Sequence, residues 1–185
     1  RADSRIVTTP RPGPGVPPPG LVGVDDLVEL ELDGSVRPGR WRPPIGIDLD
    51  LAIYRQRPGA GAIVHAQPRT MLAFTAAGRD LLPVTHTESA LVHRMLTTLH
   101  GGTAIDDDDR LEAALEALGD RSVAIVPGDG SIAIGRIPAE AAMLTQQLEL
   151  LAQANALAIE LSAPDGPKLV DAADSERVRL RQELE

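Results

Sequence analysis

The sequence contains no cysteine. That excludes disulfides, thiolate nucleophiles and sulfur-ligated metals, so any metal would need nitrogen and oxygen donors. Aromatic side chains are nearly absent as well: Trp41, Tyr54 and Phe74 are the complete set. A core must therefore be assembled from Ala, Val, Leu and Ile. No apolar run approaches the ~20 residues that span a bilayer. Basic clusters are missing too. With 18 Lys and Arg against 27 Asp and Glu, the formal net charge is −9. No segment offers the positive field that nucleic acid or an anionic membrane requires. These absences leave a cytoplasmic protein with a small-molecule partner as the expectation. The chain opens on Arg1 without a signal-like apolar segment, which reads as a processed protein or a fragment beginning inside a domain.

What is present suits one domain with a sizeable core: 185 residues, 43% of them apolar. RIVTT (5–9) is β-branched and reads as a strand. PRPGPGVPPPG (10–20) cannot be regular, because proline removes donors and fixes φ; it is a stiff loop, either a binding rim or slack. In LVELELDG (27–34), Val28, Leu30 and Leu32 alternate with acids, giving a strand with one buried face. The spacing of IDLDLAIYRQRPG (47–59) predicts a helix with Asp48 as N-cap, and GAIVHAQ reads as a buried strand. RTMLAFTAAG (69–78) predicts a helix closed by Gly78, and 88–102 another. DDDDRLEAALEALG (106–119) carries its acids at the N-terminal end, where the helix dipole favours them, so no calcium loop is needed to explain them. The stretch 122–135 reads as two strands around a PGDG turn, and 137–161 as a long helix with Pro138 at N1. Residues 1–162 are thus expected to form one domain and 163–185 a polar tail. The hairpins favour a three-layer α/β/α fold on a mostly antiparallel sheet.

The order of VTTP, VDDLVELELDG, DLAIYRQRPGAGAIVHAQP, LPVTH, VAIVPGDGSIAIG and EAAMLTQQLELLAQANALA resembles the class II aldolase/adducin family over roughly residues 5 to 160. The family's initial helical segment and its glycine-asparagine phosphate motif would precede Arg1. The resemblance implies a homotetramer with sites between subunits. It also implies a divalent metal, usually zinc, held by an H-x-H-P pair and a third histidine in an N-H-G turn, with a glutamate shuttling a proton. Two histidines two apart on a strand share a face, which is why that spacing can chelate.

Carried onto this sequence, the pattern begins and then breaks. His65 matches the first histidine, Gln67 occupies the second and Asp129 falls where the third should be. The glutamate falls on Gly46 in a PPIG segment where the family has serines, and a histidine common four positions later is Asp50. Three readings follow. His65, Gln67 and Asp129 hold a metal, though less tightly than three imidazoles. Alternatively the metal is gone, and Asp48 or Asp50 stands in for the glutamate with His65 as partner. In the third, the fold serves binding or assembly, as in the adducin head. His86 is read as a surface residue, and His93 and His100 as structural. Loss of the serines and the proline-rich loop make a sugar phosphate an unsuitable substrate. A divergent lyase acting on a small hydroxy- or keto-acid is the expected enzyme. Its Ala/Arg/Asp/Pro/Gly-rich composition fits a GC-rich bacterial coding sequence.

Overall fold

The computed structural model describes residues 4–86, 95–100, 108–171, 173–174 and 177. Strands β1 (Arg5–Thr8) and β2 (Val28–Glu31) form an antiparallel ribbon. Helix α1 (Ile47–Gln56) leads to β3 (Ala62–Ala66) and α2 (Arg69–Ala76). Then come β4 (Leu96–Thr98), α3 (Asp108–Leu118), the β5–β6 hairpin (Val123–Val126 and Gly130–Gly135) and α4 (Pro138–Leu161).

The central sheet has the order β3-β6-β5-β4. Two of its pairings are antiparallel and β4–β5 is parallel, so the sheet is mixed. Alternation along the strands assigns the two faces. Val123 and Ile125 on β5 and Ala133 on β6 pack with Met71 and Phe74 of α2 and with Leu144, Leu148 and Leu151 of α4. Ala124, Val126, Ile132 and Ile134 point the other way, into a core shared by α1, Leu118 of α3 and the β1–β2 ribbon. That is the expected three-layer arrangement, and both cores are built almost wholly of aliphatic side chains.

Local differences from expectation have physical causes. The helix predicted over 88–102 does not extend through 96–98: those residues form β4, whose ladder with β5 and the buried Leu99 outweigh helical spacing. Residues 87–94 and 101–107, which include His93 and part of the acidic run, lie outside the described residues. The N-cap of α1 is Gly46 at φ +88°, not Asp48, which instead sits in the first turn with Asp50. Gly78 does close α2: at φ +64° it donates to Thr75 O while Arg79 donates to Phe74 O, a Schellman arrangement. Helix α4 ends at Leu161, and beyond it Val170 N donates to Pro83 O at 2.7 Å.

Candidate active site

The alternation that buries Ile63 in the α1-side core places His65 on the same side of β3. Its register partner on β6 is Ile132. Facing it is the first turn of α1. There His65 Nε2 and Asp50 Oδ1 lie 2.7 Å apart, with the imidazole side chain 39% exposed and the carboxylate 14%. Asp129 sits in the β5–β6 turn, where its N–H donates to Val126 O. All three side chains line one cleft of about 620 Å³, together with Gly46 and Gln67.

The rim is apolar. Pro12 and Pro19 come from the proline-rich loop and Pro44 and Ile45 from the approach to α1, so part of that loop forms a wall of the cleft. Proline suits the wall of a cleft because a segment with fixed φ is ordered at little entropic cost. Gly130, at φ +148°, closes the turn beside Asp129, and a Cβ there would overlap the Ala66 carbonyl oxygen. Ser131 also borders the cleft; its hydroxyl is buried and has no hydrogen-bond partner among the described residues.

The electrostatics of the cleft are coupled. Burial of the His65 ring is the largest single influence and opposes its charged form. The hydrogen bond to Asp50, the charge of Asp50 and the charge of Asp129 together outweigh it, so the imidazole is held above its ordinary value of 6.5. The pair is therefore biased toward imidazolium facing carboxylate, a state that can both release and accept a proton.

The structure thus gathers His65, Gln67, Asp129 and Asp50 at one cleft and leaves out Asp48, which is exposed and absent from its lining. Residues two apart on a helix are separated by about 200° around the axis, so only one of the two aspartates can face the strand. His86 and His100 are exposed and line no part of the cleft. Gly46 lines the cleft with backbone alone, which can carry no proton.

The residues present do not fit a three-imidazole metal centre. Among the described residues one imidazole lines the cleft, its Nε2 is within hydrogen-bond distance of Asp50, and no group of three or more His, Asp or Glu converges as a metal site. Gln67 could add only a neutral amide oxygen, a hard and weak donor beside imidazole.

Sequence reasoning missed Glu149 of α4, which is structural. Its carboxylate accepts from Thr70 N, Thr70 Oγ1 and Met71 N at the start of α2. A signal was available: α2 follows Pro68, whose side chain cannot cap, so its first amides needed an acceptor from elsewhere.

Comparison with known proteins agrees with this architecture. The family described as Class II Aldolase and Adducin N-terminal domain matches residues 17–156. An L-ribulose-5-phosphate 4-epimerase from Salmonella paratyphi B is 36% identical over 67 residues, 35% of this chain and 29% of that protein. A 3,4-dihydroxyphthalate decarboxylase from Terrabacter sp. is 26% identical over 140 residues, 74% of this chain and 55% of that protein. The chain therefore spans about a third to a half of the curated relatives it matches. Among solved structures, an L-fuculose 1-phosphate aldolase superposes with a TM-score of 0.76 at 16% identity, covering 97% of this chain and 81% of that one. That likeness speaks for the fold alone. Among the described residues, no helix is long and apolar enough to cross a membrane.

Proposed function

This chain belongs to the class II aldolase and adducin N-terminal domain family, and from that premise we propose that its cleft is a small-molecule site where Asp50 and His65 move a proton. The observation that supports this reading is the 2.7 Å contact between His65 Nε2 and Asp50 Oδ1 inside the cleft. An imidazole held by a carboxylate is a competent acid–base pair near neutral pH.

The reaction class it suits is lyase-type chemistry on a small hydroxy- or keto-compound. In a retro-aldol step, His65 in its neutral form takes the proton of the β-hydroxyl group and becomes the imidazolium. The carbon–carbon bond breaks, its electrons move toward the carbonyl oxygen, and the same proton is returned to the resulting enolate. The imidazolium supplies the positive charge that the developing oxyanion needs. Asp50 orients the ring and sustains that charge. This scheme is carried by Asp50 and His65 themselves.

The decisive experiment measures cleavage of small β-hydroxy carbonyl compounds, or decarboxylation of keto-acids, by the wild type and by Asp50→Asn. Proton-transfer catalysis of this kind contributes about 10²–10⁴-fold, and Asp50→Asn should lose activity on that scale. Unchanged turnover in Asp50→Asn would remove the pair from the mechanism. Metal analysis of protein purified without chelator belongs beside it. Stoichiometric metal lost in His65→Ala and Asp129→Ala would favour the altered metal site instead.

A second reading, that the fold serves assembly, draws on α4. Met143, Leu150 and Leu157 recur seven residues apart on that helix and remain 49%, 48% and 59% exposed. Such a stripe is ordinarily covered by another apolar surface, which accords with a homo-oligomer. Sedimentation of the purified protein tests it: a monomer at micromolar concentration would sink the assembly reading.

A further inference from the structure

Among the described residues two polar side chains are buried, Ser131 and Asn155. Asn155 is satisfied: it accepts from Leu82 N and donates to Leu82 O and Leu151 O. The Ser131 hydroxyl has no hydrogen-bond partner among the described residues, although the residue is only 3% exposed. Taking a hydroxyl out of water without a new bond is unfavourable, so the buried polar groups of a folded chain are nearly always paired. Packing alone would be served as well by alanine, which β6 carries two residues later as Ala133. A hydroxyl at this point therefore needs a reason other than the stability of the empty protein.

Its position supplies one. Ser131 lines the cleft together with His65, Ala66 and Gln67. Consecutive strand residues point to opposite faces, so the cleft passes around the end of β3 rather than resting on one face. Ser131 is the register partner of Ala66 there, one step along from the His65–Ile132 pair. Its backbone is fixed from both sides, because β6 is an inner strand and Ser131 also pairs with Ile125 of β5. A polar group held on a rigid element with its bonding capacity unused is a preorganised ligand contact. Serine moves its oxygen between staggered positions about a single bond, which brings the hydroxyl to a ligand without moving the strand.

We infer that Ser131 is a ligand-binding residue of this cleft, whose hydroxyl donates a hydrogen bond to an oxygen atom of the bound small molecule. The inference rests on the cleft being the small-molecule site and adds a contact that proton transfer by Asp50 and His65 does not use. The contact is made to the bound ligand before reaction, so its loss falls on affinity rather than on turnover.

The test uses the full chain and two β-hydroxy carbonyl probes, 4-hydroxy-2-butanone and 4-hydroxy-2-oxobutanoate. Dissociation constants are read by NMR titration, and turnover by release of formaldehyde in the retro-aldol direction. Ser131→Ala should weaken binding of at least one probe about three- to tenfold, the scale of one neutral hydrogen bond. Its kcat should stay within about twofold of the wild type. Without ligand, the variant should unfold at the same denaturant concentration as the wild type or a higher one, because no bond within the protein is lost. Ser131→Cys, similar in size and a weaker donor, should bind the probe with intermediate affinity.

A lower unfolding midpoint in ligand-free Ser131→Ala would overturn the inference, because the hydroxyl would then serve the fold through a trapped water. Unchanged affinity for both probes would overturn it as well, and turnover that still depends on Asp50 would leave the proton-transfer pair standing. Binding that weakens in Ser131→Ala without turnover of either probe would do the opposite: the Ser131 contact would stand and the proton-transfer reading would fall. Failure of both probes to bind the wild type would remove the inference together with the small-molecule reading of the cleft.

Discussion

On the α2–α4 side of the sheet, polar side chains hold elements together; on the α1 side, they are gathered around a cavity. Asn155, fully buried in α4, donates to Leu82 O and accepts from Leu82 N, tying the segment after α2 to the long helix. Glu149 caps α2 from the neighbouring helix. Across the sheet, Asp50, His65 and Asp129 converge where the interior is not filled. Their mutual interactions restrain a charge state more than they join elements. The difference teaches where each kind of substitution should be felt. Changes on the α2–α4 face should cost stability without altering ligand preference, and changes on the cleft face should do the reverse.

The strongest way to sharpen that contrast is Leu148→Ala. Leu148 is fully buried between α4 and the sheet, and deleting its side chain should cost about 2–5 kcal/mol. Denaturant unfolding measures this, and the His65–Asp50 pair of the folded fraction should titrate as in the wild type. Asn155→Ala should follow at about 1–3 kcal/mol, because it strands the N–H and carbonyl of Leu82. Gly130→Ala is chosen to break the contrast. Its Cβ would collide with the Ala66 carbonyl beside the cleft, at a φ of +148°. It should therefore cost more than about 1 kcal/mol and displace Asp129 as well, so that stability and ligand preference fall together. If the His65 titration survives Gly130→Ala unchanged, Asp129 does not act on the imidazole from this turn.

Much of this division was legible in the residues. Alternation in 27–34, the PGDG hairpin and the apolar recurrence in 137–161 specify elements locally, and the structure has all three. β4 was not legible, because Leu96–Thr98 becomes a strand through its parallel ladder with β5, a pairing distant in sequence. At the site, sequence alone left Asp48 and Asp50 as equals. The choice between them depends on the rotation of α1, and burial of Leu49 and Ile53 fixes that rotation. Glu149 stayed hidden for a related reason: its partners lie 78 and 79 residues away.

A smaller effect separates the two faces by pH in the acid range. Burial alone would raise the Glu149 carboxyl, but hydrogen bonds from Thr70, Met71 and Gln153 outweigh it and hold the group below its ordinary value of 4.5. A carboxyl depressed in the folded state stabilises the protein above its unfolded value. That contribution is lost as pH falls through the folded value. Glu149→Gln should cost about 0.5–2 kcal/mol at neutral pH and flatten the stability profile below pH 4.5.

The smallest expected effect belongs to the cleft, and its sign is opposite. His65 is held above 6.5 in the folded chain, so the folded state binds its proton more tightly than the unfolded state does. The resulting stabilisation is complete below the unfolded value and disappears as pH rises through the folded one. Because the ring is 39% exposed, solvent screens the pair and the change should be well under that of Glu149→Gln. A histidine ring titration followed by NMR should place the His65 midpoint above 6.5, and Asp50→Asn should lower it. A midpoint at or below 6.5 in the wild type would show that burial of the ring outweighs the two carboxylates. The cleft would then carry a neutral imidazole beside the Asp50 carboxylate, and the pair would begin its proton transfer from the uncharged ring.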